Sequence, residues 1–256
     1  MKPTVIIQAR TGSTRLPDKM TTPFYEDKPV LKILLERLSS LKNEVSQIVV
    51  ATSTNPRDKM IEDICNDMGI SCFRGSENDV LQRFISAAES VGADKIIRVC
   101  ADNVFLDLNS LKFLAKTLSD SNDDYVSFKT REGKPSILTH FGFFAEGVTL
   151  DALKKAATMT DSQLYHEHVT NFIYNTPDEF SVKLIPIADL IPDLENHPDL
   201  RLTLDTKDDF DVQQKIYADL AARNSSLSPG KLIEYLDNEH PEYYDIMKKT
   251  INANKK

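Results

Sequence analysis

Five times in the first 130 residues a short apolar run gives way to an amphipathic one, and this alternation most narrows what the chain can fold into. Residues 4–10, 47–52, 71–74, 95–101 and 125–128 read as short strands rich in Val, Ile and Phe. Between them, 28–41 carries Val30, Ile33, Leu34, Leu38 and Leu41 at helical spacing, with Pro29 in the first turn. Residues 57–68 repeat the pattern with Ile61, Ile64 and Cys65 before Gly69, and 78–91 and 108–118 follow suit. A strand that returns through a single helix must return parallel to itself, so the expected class is α/β: a Rossmann-like, mostly parallel sheet with helices on both faces.

In such a sheet ligands gather beyond the carboxyl ends of the strands. Residues 10–19, Ser53, Arg74-Gly75 and Asp102-Asn103 all fall there. The first of these loops, Ala9-Arg10-Thr11-Gly12-Ser13-Thr14-Arg15-Leu16-Pro17-Asp18-Lys19, concentrates cations and hydroxyls in a chain of net charge −8. That overall acidity argues against a nucleic-acid-binding face, which needs broad phosphate neutralisation. No GxxxxGK[ST] or GxGxxG motif is present, and with only 8 glycines the chain has no glycine-lined phosphate cradle. Arg10, Arg15 and Lys19 could each be an ordinary solvated loop charge; together, directly after the first strand, they suit a polyphosphate.

Two aspartates end apolar runs, Asp102 after 95–101 and Asp205 within Leu202-Thr203-Leu204-Asp205-Thr206. Each is placed either to cap the helix that follows or to hold Mg²⁺, a hard ion that takes few protein oxygens and completes its shell with substrate phosphates. His166-Glu167-His168 does not make a zinc site, because histidines two apart point to opposite sides of a helix. His168 could meet an anionic substrate or be an ordinary half-buried histidine. Glu146 could bind substrate hydroxyls or simply end a strand.

Beyond residue 130 the pattern loosens. Strands are expected at 140–144, 180–187 and 201–206, and helices within 149–175, at 207–222 and at 229–237, with residues 252–256 frayed. Residues 1–256 read as one domain, and 130–200 as a smaller inserted subdomain that caps the site or joins subunits. The aromatic run 141–144 hints at a homodimer contact. Three cysteines (Cys65, Cys72 and Cys100) in no metal-binding spacing, no signal-like start and no membrane-length apolar stretch lead to the expectation of a reduced, cytoplasmic protein that needs no membrane.

In order along the chain, several segments resemble one known family. Ile6-Ile7-Gln8-Ala9-Arg10, Ser13, Arg15-Leu16-Pro17 and Lys19 are similar to the IIQAR-x-x-S-x-RLPGK signature of the spore-coat-polysaccharide type cytidylyltransferases, relatives of the Kdo and acylneuraminate cytidylyltransferases. Val49 to Ser53, Phe73-Arg74-Gly75, Asp79-Val80-Leu81-x-Arg83-Phe84, Arg98-Val99-x-Ala101-Asp102-Asn103, Glu167-His168-Val169-Thr170 and Leu202 to Thr206 with Asp209 also match. Asp18 stands where the family has glycine, and Val104-Phe105 where Pro-Leu is common.

The resemblance implies a nucleotide-diphospho-sugar transferase-like fold and transfer of a cytidylyl group from CTP to an acidic sugar or sugar phosphate, with release of pyrophosphate, in surface polysaccharide synthesis. It implies that Arg10, Arg15 and Lys19 hold the triphosphate on a loop that includes Ala9, Gly12 and Ser13, and that Asp102 and Asp205 hold Mg²⁺. It further implies Arg74 and Asp79 near the nucleoside, and Glu146 and His168 near an anionic small-molecule acceptor. Two other classes stay open from residues alone: a metal-dependent glycosyltransferase, though Asp102-Asn103-Val104 lacks the second acid of DxD, and a catalytically silent nucleotide-binding protein.

Overall fold

Strand β1 (Thr4–Gln8) is buried through its first four residues, as a strand must be when both its edges and both its faces are covered. It lies at the centre of a computed structural model that describes residues 1–254. A small antiparallel pair follows, β2 (Pro23–Tyr25) and β3 (Lys28–Pro29). The chain then forms β4 (Ile48–Ser53), β5 (Ser71–Gly75), β6 (Lys95–Cys100), β7 (Tyr125–Lys129), β8 (Glu146–Thr149) and β9 (Val182–Pro186). All but β2 and β3 join one sheet in the order β5-β4-β1-β6-β8-β7-β9.

The longer helices are α1 (Val30–Leu38), α2 (Lys59–Asp67), α3 (Val80–Ser90), α4 (Leu108–Asp120) and α5 (Leu150–Met159). Two short turns of helix come next, α6 (Gln163–Glu167) and α7 (Asn171–Asn175). Then come α8 (Lys207–Ala222), α9 (Pro229–Glu239) and α10 (Glu242–Ala253). Alternation along β1 divides the core. Val5 and Ile7 pack with Leu34 of α1, Ile61 of α2, Leu114 of α4, Ile216 of α8 and Leu236 of α9. Ile6 turns the other way, toward Phe84 of α3, Leu153 of α5 and Ile173 of α7.

The parallel sheet inferred from sequence is present, with one exception. β8 runs antiparallel between β6 and β7. Because β8 and β9 belong to the main sheet, residues 130–200 contribute two of its strands as well as the irregular segments beside them.

Two expected strands are absent. Residues 140–145 form no ladder: Phe141, Phe143 and Phe144 are all buried instead of alternating, and Gly142 sits at φ 70° with Leu202 O only 2.4 Å from where a Cβ would be. The Phe144 ring packs on Phe128 at 4.9 Å between centroids. This aromatic run is core, so it offers no surface for a second copy of the chain. Residues 201–205 likewise stay outside the sheet, tethered by Leu202 N to His140 O (2.8 Å) and Leu204 N to Asp102 O (3.3 Å). The end expected to fray is helical through Ala253, and Lys255 and Lys256 lie outside the described residues. Among the described residues no helix is long and apolar enough to cross a membrane.

Candidate active site

The loop after β1 is pinned by a buried acid. Asp58 accepts from Thr11 N (2.8 Å) and Thr11 Oγ1 (2.7 Å) with one oxygen, and from Ser53 N (3.2 Å) and the Ser53 hydroxyl with the other. Burial alone would raise its pKa, but these four donors outweigh it and hold the carboxyl below its ordinary range. Fixed to the end of β4 in this way, the loop lines a cavity of about 680 Å³ with Ala9, Arg10, Ser13, Arg15 and Lys19. Gly12 belongs to the same loop but is exposed and does not line the cavity.

Asp102 and Asp205 reach the same cavity from two distant parts of the chain. Both point at one ammonium: Lys19 Nζ lies 2.9 Å from Asp102 Oδ2 and 3.5 Å from Asp205 Oδ1. Lys19 is nearly buried, which alone would lower its pKa; the two carboxylates more than offset this, so it is raised and the charge is kept. Arg15 reaches Asp205 Oδ1 at 3.0 Å and Asn254 Oδ1 at 2.9 Å, drawing the end of α10 against the loop. The other oxygen of Asp205 accepts from Arg201 at 3.0 Å. Arg201 is itself buried and gripped by Asp209 and by His140 Nδ1 (2.8 Å). Burial would raise the Asp205 pKa, yet Lys19, Arg15 and Arg201 together lower it.

Two carboxylate oxygens within 3.5 Å of a shared cation define a spot that already favours positive charge. Among the described residues no cluster of three or more His, Cys, Asp or Glu surrounds a metal position. Two hard oxygens without a soft ligand suit an ion that leaves most of its shell to water and phosphate, so the residues fit Mg²⁺.

A second cavity of about 510 Å³ opens beside the first and shares Cys100, Asp102, His168 and Asp205 with it. Its other lining includes Arg98, Thr170, Asn171 and Tyr174. Glu146, expected at an acceptor, lines neither cavity. It is 1% exposed and sealed by Arg98, the Tyr125 hydroxyl and Thr170 Oγ1 (2.8 Å). Burial and the Glu146 carboxylate together push the Tyr125 hydroxyl well above its ordinary pKa.

Arg74 and Asp79 are not brought into the cavity wall. Arg74 is spent on Ser53 O (3.1 Å) and Asn55 O (2.8 Å), and Asp79 caps α3 through Gln82 N (2.8 Å) while pairing with His166 (2.9 Å).

The site thus sets a cationic loop against two aspartates, one just after β6 and one in the segment outside the sheet. A family model described as cytidylyltransferase matches residues 4–239. The chain belongs to the cytidylyltransferase family. It is accordingly a nucleotidyltransferase. It is 36% identical to the Uncharacterized protein MJ1063 of Methanocaldococcus jannaschii, over 99% of this chain and 96% of that one. It is 32% identical to the spore coat polysaccharide biosynthesis protein SpsF of Bacillus subtilis, over 93% and 94% respectively. A cytidylyltransferase structure from Leptospira borgpetersenii superposes with a TM-score of 0.80 at 27% identity, covering 95% of this chain and 97% of that one.

In this cytidylyltransferase neither of the two sequence departures lines the cavity. Asp18 has φ 57°, the left-handed conformation that glycine adopts at no cost, and its carboxylate turns outward to Arg57 at 2.9 Å. Val104 and Phe105 are fully buried core. Several neighbours of the site carried little signal in sequence: Asp58 falls inside the helix expected over 57–68, Arg201 at the start of the strand expected over 201–206, and Asn254 in the end expected to fray. Arg98 and Glu167 stood inside matching motifs without an assigned task; Glu167 pairs with Arg10 at 3.3 Å.

Proposed function

We propose that this cytidylyltransferase uses Mg²⁺ and CTP to transfer a cytidylyl group to an anionic sugar or sugar phosphate, releasing pyrophosphate, as a step in surface polysaccharide synthesis. The observation that carries the proposal is the meeting of Arg10, Arg15 and Lys19 with Asp102 and Asp205 in one cavity of about 680 Å³, beside a second cavity for an acceptor. The SpsF relative supports the polysaccharide setting.

Asp102 and Asp205 would hold the ion, which would supply charge neutralisation at the α-phosphate and at the departing pyrophosphate. Lys19, Arg10 and Arg15 exchange their present carboxylate partners for phosphate oxygens, a trade of one oxyanion for another. The acceptor oxygen, held in the second cavity, attacks the α-phosphorus; the bond to the β-phosphate breaks, and pyrophosphate carries away the electron pair. An acceptor hydroxyl passes its proton to solvent, whereas a phosphate acceptor has none to lose. Rate enhancement then comes from alignment and preorganised charge.

Asp102→Asn and Asp205→Asn each keep shape and remove charge. Each is expected to lower CTP-dependent pyrophosphate release by at least about tenfold to a hundredfold with the fold intact. Wild-type turnover in either variant would remove that aspartate from the mechanism.

A further inference from the structure

The floor of the second cavity holds a cation that the loop chemistry does not use. Arg98 projects from β6, is 6% exposed, and is the one arginine or lysine lining that cavity among the described residues. Its Nη1 is paired with Glu146 and its Nη2 donates to Gln8 Oε1 at 2.9 Å. Its Nε has no partner, and each terminal nitrogen keeps a second hydrogen. A guanidinium offers five N–H bonds in a rigid fork, so most of this donor set is unspent in a place with little water. Around it stand Thr170, Asn171 and Tyr174, all neutral hydrogen-bonding groups.

Glu146 explains why the arginine is held so firmly. The acid is sealed on its other oxygen by Tyr125 and Thr170, so the pair cannot swing into solvent. The acids facing this cavity, Asp102 and Asp205, lie at its junction with the first one. An acceptor with an oxyanion is therefore drawn to the Arg98 end and repelled from the junction, which leaves its reacting oxygen next to the aspartates.

We propose that Arg98 is the residue that selects the acceptor, taking a carboxylate or phosphate oxygen on its unspent N–H bonds, and that Glu146 and Gln8 are positioning residues that hold it there. The proposal rests on the cytidylyl-transfer function set out above. Removing Arg98 alone would strand a buried carboxylate, so the variant of choice is the neutral pair Arg98→Met with Glu146→Gln.

The test measures pyrophosphate release with CTP and Mg²⁺ against a 3-deoxy-2-keto sugar acid, glucose 1-phosphate and glycerol 3-phosphate, with glucose and glycerol as neutral counterparts. The sugar acid and the two phosphates separate the carboxylate source from the phosphate source. Wild type is expected to use an anionic acceptor over its neutral counterpart. The double variant is expected to raise KM for that acceptor about 10- to 100-fold, the loss of hydrogen bonds to a charged group. CTP–Mg²⁺ binding is expected to be unchanged, with kcat altered much less than KM. An unchanged acceptor KM, or turnover confined to neutral acceptors or absent from the whole panel, overturns the assignment. Should the double variant fail to fold, calorimetry on CTP-loaded wild type decides, since equal binding of an anion and its neutral counterpart also overturns it. Failure of wild type to bind CTP at all would instead fell the underlying function.

Discussion

Asp102 and Asp205 differ from Glu146, one strand away, in a way that separates machinery from scaffold. The first two side chains are 26% and 23% exposed and share Lys19, a partner that a phosphate can draw away. The Glu146 side chain is 2% exposed and wedged among an arginine, a tyrosine and a threonine that have nowhere else to go. Carboxylates of both kinds sit beside the same β6. An acid whose partners can be exchanged serves chemistry, and one whose partners are locked serves geometry.

Stability should split along that line. Glu146→Ala leaves Arg98 buried without its counter-charge and is expected to cost about 3–5 kcal/mol in urea unfolding. Asp102→Asn leaves the nearly buried Lys19 its second carboxylate, Asp205, and is expected to cost less, about 1–2 kcal/mol. Equal losses would mean that both acids are structural and would break the contrast.

Lys19→Met probes the exchange from the other partner. With the ammonium gone, Asp102 loses its cation while Asp205 keeps Arg15 and Arg201, so the pair is more negative by one charge. Mg²⁺ alone is then expected to bind roughly threefold to tenfold tighter by calorimetry, while CTP binds more weakly, each a change of about 1 kcal/mol. Unchanged metal affinity would show that Lys19 and the ion do not compete for one place.

The smallest effect is expected at Asp18→Gly. Relief of the left-handed backbone and loss of an exposed pair with Arg57 nearly cancel, so both stability and turnover should stay within about 0.5 kcal/mol of wild type. A large gain in turnover would instead place the Asp18 charge inside the working site.

The sequence carried the parallel half of the sheet because apolar strands and amphipathic helices there have different periods and clear caps. The loop after β1 was legible for a different reason: its cations stand out against an acidic chain. The segments 140–145 and 201–205 were not legible, since a short apolar run buried on all sides looks the same whether or not a neighbour offers a ladder. Their contact depends on Gly142 meeting Leu202, far apart in sequence. Helix α10 has little signature in sequence because Met247 and Thr250 are its only buried residues, too few for an apolar stripe. The Arg98–Glu146 pair was hidden for want of a local rule, because β6 and β8 become neighbours only when the sheet assembles.

The most direct test is thermal unfolding of wild type and Asp102→Asn with CTP, Mg²⁺, both or neither, with UTP, ATP and GTP in parallel. CTP with Mg²⁺ is expected to stabilise wild type by about 2.7 kcal/mol at a hundredfold excess over Kd, more than either ligand alone and more than the other nucleotides. The metal's share should vanish in the variant. Stabilisation by CTP that is the same with and without Mg²⁺, and the same in both proteins, would contradict a shared nucleotide and metal site at Asp102 and Asp205.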